Sequence, residues 1–167
     1  MGTTTGNPTW EDYPSTTTPV TATALENIEA ALDQHTLDIE AAGSLPISTV
    51  VLTTGSLANN AHQQMTATMT PSFAVGKVVT SVPARVRLYA TEAQRTADLG
   101  RNAGSDPVGN HGLLLDLLTT TTALSFVIAP SAVGFGFEAT AGNIPATITN
   151  LSGAASVVTV TITFKEL

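Results

Sequence analysis

The sequence predicts a mainly β protein. An extended N-terminal segment leads into one short heptad helix, and an antiparallel β-sandwich or jelly-roll-like domain follows. Three observations carry this. Threonine occurs 29 times in 167 residues, and charged residues make up only 11 %, against about 25 % in an ordinary globular chain. Thr is β-branched and suits a pleated, half-buried surface. From Ile47 onward, short apolar/polar alternations recur between turn signals. So few charges on a Thr/Ala-rich chain also point to surface covered by partner chains.

Residues 1–22 read as extended, because Pro8, Pro14 and Pro19 stand among Gly and Thr. Trp10 and Tyr13 sit in the middle of this stretch. One reading is a loose leader; the other is a docking peptide with Trp10 and Tyr13 as its anchors, since these are common interface residues.

Residues 23–43 contain the one clear helix, over 23–42. Thr23 and Glu26 form a T-x-x-E capping box, and Gly43 and Pro46 mark the stop. Leu25, Ile28, Leu32, His35, Ile39 and Ala42 follow 3-4 spacing, a heptad seam. The seam spans about three heptads, marginal for a coiled coil alone, and its flank is acidic. A parallel bundle of copies fits the narrow seam; an amphipathic helix lying on its own domain is the alternative. His35 reads as a polar layer in the bundle, with an ion held by a ring of three imidazoles as the open alternative.

Residues 44–167 are expected to hold nine strands: 48–54, 63–70, 74–80, 84–89, 112–118, 123–128, 133–139, 146–150 and 156–164. Met65, Ala67 and Met69 share one face, as do Val158, Val160, Ile162 and Phe164. Thr91–Leu99 suits a short helix, and Gly100–His111 is a long polar loop of the kind that often carries function. Arg85 and Arg87 alternate with Val86 and Leu88, which predicts an exposed outer sheet face with Glu92 or Asp116 as partners.

Charge and chemistry exclude much. The net charge is −7, and residues 1–76 hold seven acids and no Lys or Arg, whereas residues 77–167 hold six of each sign. There is no basic patch for phosphates, so no nucleic-acid partner is expected, nor membrane insertion. The absence of cysteine removes thiolate and Cys-zinc chemistry. Met1–Asp12 lacks the regions of a secretory leader, so synthesis in a cytoplasm is expected. Gly134-Phe-Gly136-Phe-Glu-Ala139 matches G-x-G-x-x-A, but within a strand pattern and with no helix after it; close sheet packing explains the glycines better than a dinucleotide site. Asp106, Asn110 and His111 form a candidate ligand loop, with turn chemistry and an Asp98 pairing to Arg95 or Arg101 as the plainer account. No catalytic set emerges, and neither a cofactor nor a metal is expected.

Two segments carry a resemblance. Residues 10–29, with Trp10, Asp12, Pro14-Ser15, Thr18-Pro19-Val20-Thr21-Ala22, Leu25 and Ile28-Glu29, resemble the opening of many bacteriophage minor tail and fibre proteins, W-x-D-x-P-S…T-P-[IV]-T-A-x-x-L-x-x-I-E. Pro83–Tyr89, with Arg95–Asp98, Arg101, Gly104–Pro107 and Gly109–Asp116, is similar to a small β-sandwich module of phage tail and fibre proteins. The resemblance covers most of the chain. It implies a homotrimer in the virion, assembled in the host bacterial cytoplasm. Its N-terminal segment would attach to other tail, neck or capsid proteins, and its β domain would project outward, where a host-surface glycan is a candidate partner. It carries over no catalytic residue. The short chain fits a head fibre, decoration protein or short tail appendage better than a long fibre; a monomeric carbohydrate-binding module is the further alternative.

Overall fold

The computed structural model describes Thr23, residues 26–34 and residues 46–167. Of the predicted site residues, Trp10, Tyr13, Leu25, His35 and Ile39 lie outside the described residues. Thr23 and residues 26–34 are helical (α1), within the helix expected over 23–42. Within α1, Ile28 and Leu32 are 54 % and 62 % exposed.

Residues 45–167 form one unit with eight strands: β1 (Ile47–Leu57), β2 (His62–Thr68), β3 (Ser72–Thr80), β4 (Ala84–Tyr89), β5 (Leu113–Leu118), β6 (Ser125–Phe135), β7 (Asn143–Asn150) and β8 (Ser156–Glu166). A short helix, α2 (Glu92–Ala97), follows β4. The strands form two four-stranded sheets, ordered β1-β8-β3-β6 and β2-β7-β4-β5, with every pairing antiparallel. Strand pairs run from the outside of the sequence inward: first with eighth, second with seventh, third with sixth, fourth with fifth. This is a long antiparallel ribbon rolled up, the jelly-roll arrangement. Its tip is the connection from β4 to β5.

The mainly β sandwich is therefore as the sequence predicts, with eight strands in place of nine. The expected strands 123–128 and 133–139 are one strand, β6, which pairs with β3 on both sides of Pro130 and Ser131 across a register shift at Val75/Lys77. The bulge absorbs the break in alternation that suggested two strands. Residues 136–139 leave the strand, and Gly136 N instead donates to Pro71 O at 2.8 Å.

The core lies between the inner faces. Leu52, Phe73, Val75, Val78, Val158, Val160, Ile162 and Phe164 come from one sheet; Ala67, Met69, Val86, Leu88, Ile144, Ala146 and Ile148 are among those from the other. Phe73 and Phe164 meet edge to face at 6.4 Å. The glycines of the G-x-G-x-x-A match are packing residues: a Cβ on Gly134 would stand 2.5 Å from Phe73 Cζ, and one on Gly136 would stand 2.5 Å from Ile144 Cδ1. Phe135 between them and Phe137 after them are exposed.

The two outer faces differ. On the β1-β8-β3-β6 sheet, β1 and β8 alternate between buried and open positions. On the other sheet, β4 is buried at all six positions and β7 from Ile144 to Ile148. What covers β4 and β7 on their second side is α2 and the ribbon tip.

Candidate functional site

The covering layer is built from charge. Thr91 caps α2, its side chain accepting from Gln94 N at 3.3 Å. Glu138 accepts from the backbone N–H of Glu92, also in the first turn. From the outer side of β4, Arg85, Arg87 and Tyr89 rise into the layer, and all three are buried. The alternation with Val86 and Leu88 places the arginines on the outer face as expected. Their expected exposure is corrected: Arg85 is 3 % exposed and Arg87 2 %, because the ribbon tip folds back over them.

Two aspartates hold the layer together. Arg85 Nε and Nη2 donate to the two carboxylate oxygens of Asp116 at 2.8 and 2.6 Å, a bidentate fork. Asp116 stands opposite Arg87 in the β4–β5 register. Arg101 Nη2 reaches the same Asp116 at 2.8 Å, and its Nε reaches Asp98 at 2.7 Å. Asp98 also accepts from Tyr89 Oη at 2.7 Å and Arg87 Nη1 at 3.3 Å. Arg101 thus links two clusters, Arg85–Asp116 and Asp98–Arg87–Tyr89. Further donors fix the loop backbone: Arg85 Nη1 to Arg101 O, Arg87 Nη1 to Asp98 O and Arg101 Nη1 to Ser105 O. Arg95 forms a separate pair with Glu92 and donates to Met65 O on β2. Of the two arginines expected for Asp98, Arg101 is its partner and Arg95 is not; likewise Asp116, not Glu92, takes Arg85.

Burial alone pushes the Asp98 and Asp116 carboxyls up. Hydrogen bonds outweigh it, from Arg101 and Tyr89 on Asp98 and from Arg85 and Arg101 on Asp116, and hold both below the ordinary carboxylate value. The Asp98 contact, with burial and Asp116, acts on Arg101 in the net direction of a raised value. Burial, then the bond to Asp98, pushes the Tyr89 hydroxyl above its usual range.

Beside this layer lies an open cleft of about 200 Å³. Arg85, Arg87 and Arg101 line it, with His62, Asn102 and Thr149 among the other lining residues. Sequence reasoning named the Arg85–Asp116 and Arg101–Asp98 pairs among its alternatives but not the cleft beside them. The available signal was Arg85-x-Arg87 on a strand followed by Asp98, Arg101 and Asp116, an ion-pair set too balanced to be a solvated face.

The predicted ligand loop does not converge. Asp106 is exposed, Asn110 Oδ1 accepts from Gln94 Nε2 at 2.8 Å, and His111 Nδ1 accepts from Leu113 N at 3.1 Å. The turn expected at Asp106-Pro107 falls at Ala103-Gly104 instead. Among the described residues, no group of three or more His, Asp or Glu is placed to hold a metal ion, and no helix is long and apolar enough to cross a membrane. No protein-family model matches the chain, and no curated protein sequence matches it either.

Proposed function

We propose that this chain is a structural, non-catalytic subunit of a bacteriophage virion: a homotrimeric fibre or tail appendage, attached through its N-terminal segment, with the β domain facing outward toward the host. The observation that best supports assembly is the bare outer face of the β1-β8-β3-β6 sheet. Exposed apolar side chains stand on both edge strands, Ile47 and Val51 on β1 and Val127, Val133 and Phe135 on β6, with Val157 of β8 also exposed between them. Between these margins run Thr159, Thr161, Thr163 and Lys165 of β8 and Lys77 of β3. Three strand spacings, about 14 Å, separate the margins.

Two different apolar margins on one subunit suit a head-to-tail contact between copies, which closes into a ring. A two-fold dimer would need one self-complementary patch and would bring Lys77 and Lys165 toward their own copies. The N-terminal motif supports the virion setting, and jelly rolls recur in viral capsid and lectin domains, a fold-level analogy. A head fibre or capsid decoration protein is the same architecture at another place on the particle.

Light scattering on the purified chain tests the assembly. Three times 17.1 kDa is expected; a strict monomer removes the homotrimer. Val51→Asp with Val127→Asp should dissociate it and leave the sandwich folded by circular dichroism. A trimer that survives this pair but not Ile28→Asp with Leu32→Asp moves the clamp to α1. Gold labelling at Trp10 in assembled particles then distinguishes tail from capsid.

A further inference from the structure

The cleft beside the ion-bridged layer has an uneven lining. Arg85, Arg87, Arg101 and His62 line it, and no Asp or Glu does. In the layer behind it, Arg85, Arg87 and Arg101 bring three positive charges and Asp98 and Asp116 two negative ones, so one positive charge is in surplus. The hydrogen bonds locate that surplus. Every donor nitrogen of Arg85 and Arg101 has an acceptor. Arg87 differs: only its Nη1 donates, to Asp98. Its Nε is buried without a partner, as is the hydroxyl of Thr147, which faces Arg87 across the β4–β7 ladder. Its Nη2 donates to no atom of the described residues. A side chain buried to this degree normally has its donors satisfied.

We infer that this cleft binds a small oxyanion, a carboxylate or phosphate group, seated against Arg87, with His62, Asn102 and Thr149 as neighbouring hydrogen-bonding groups. A guanidinium presents a planar pair of donors that matches such an anion and remains charged at any working pH. The volume equals about seven waters at ~30 Å³ each, room for one charged group and little more. No Phe, Tyr or Trp lines the cleft, so the anion's charge rather than stacking on a large ring provides recognition. The oxyanion is either a free ion or the acidic unit of a saccharide. The inference stands apart from the virion reading, since a monomer would present the same cleft.

Titration calorimetry of the full chain at low ionic strength with glucuronate, inorganic phosphate and glucose tests it. Both anions should bind and glucose should not. Phosphate binding at least as tightly as glucuronate assigns the site to a bare oxyanion; tighter glucuronate assigns it to an acidic sugar. Asn102 is exposed, so Asn102→Asp adds a like charge to the lining without touching the bridged layer. Anion affinity should fall about tenfold or more, with the thermal midpoint unmoved. Lys77→Gln with Lys165→Gln, on the opposite sheet, should leave affinity unchanged. The inference fails if neither anion binds, if glucose binds as well as glucuronate, or if affinity follows the lysine pair and ignores Asn102→Asp.

Discussion

The two sheets share a core and treat their outer faces in opposite ways. The β1-β8-β3-β6 sheet leaves Thr159, Thr161 and Thr163 only partly covered beside exposed Val127 and Val133. The β2-β7-β4-β5 sheet places Arg85, Arg87 and Tyr89 beneath α2 and the ribbon tip, and bridges them with Asp98, Arg101 and Asp116. A second apolar layer would have covered β4 just as well. An ionic cover is a weak source of net stability, because desolvation offsets much of the attraction. It is directional, however, and each guanidinium here also holds a loop carbonyl. The difference teaches that one face is organised to place a loop and the other is left open to solvent.

Removing one ionic partner should have the largest effect. Asp98→Ala leaves Arg87 and Arg101 facing each other in a buried layer and should cost about 3–5 kcal/mol in urea unfolding. Gly134→Ala, which drives a Cβ into the Phe73 ring, should cost about 1–3 kcal/mol by overpacking. On the bare face, Thr163→Ser should stay within roughly 1 kcal/mol. If Thr163→Ser proves as costly as Asp98→Ala, the contrast between the faces collapses.

Acid sharpens the same comparison. Asp98 and Asp116 titrate below the ordinary 3.8 in the fold, so as pH falls the unfolded chain takes up protons first. Their contribution is fully present above that value and is lost as pH drops below about 4. For Tyr89 the sign reverses: its raised value means stability present below pH 10 and lost as pH climbs above it. Unfolding followed against pH should show both flanks, and Asp98→Asn should shrink each of them.

Legibility followed the faces. Where one side of a strand meets water, as in β8, the period-2 pattern named every core residue from Val158 to Phe164. Where both sides are covered, as in β4, the pattern still named the faces but not the burial, because a charged residue on an outer face normally marks solvent. Arg85 and Arg87 could be recognised as buried only with Asp98, Arg101 and Asp116 in view, and those partners lie 11 to 31 positions along the chain. In the candidate loop, Asn110 bonds to Gln94, His111 to Leu113, and Asp106 is exposed. The neighbouring cleft is lined by residues far apart in the sequence, Arg101 and Thr149 among them, which composition does not reveal. The merger of two expected strands into β6 reflects a bulge, which shifts the alternation without ending the ladder.

The rolled ribbon has a mechanical corollary. Ile47 is the ladder partner of Lys165, and Glu166 N donates to Pro46 O at 3.1 Å, so the strand that opens the domain and the strand that closes it start their pairing at the same end. Tension applied between these two points would peel β1 from β8 one hydrogen bond at a time, a low-force path. Tension between Ile47 and the ribbon tip would instead be shared through both sheets and the layer of bridged arginines. A domain wired in this way withstands load best when it is held at its base and pulled at its tip.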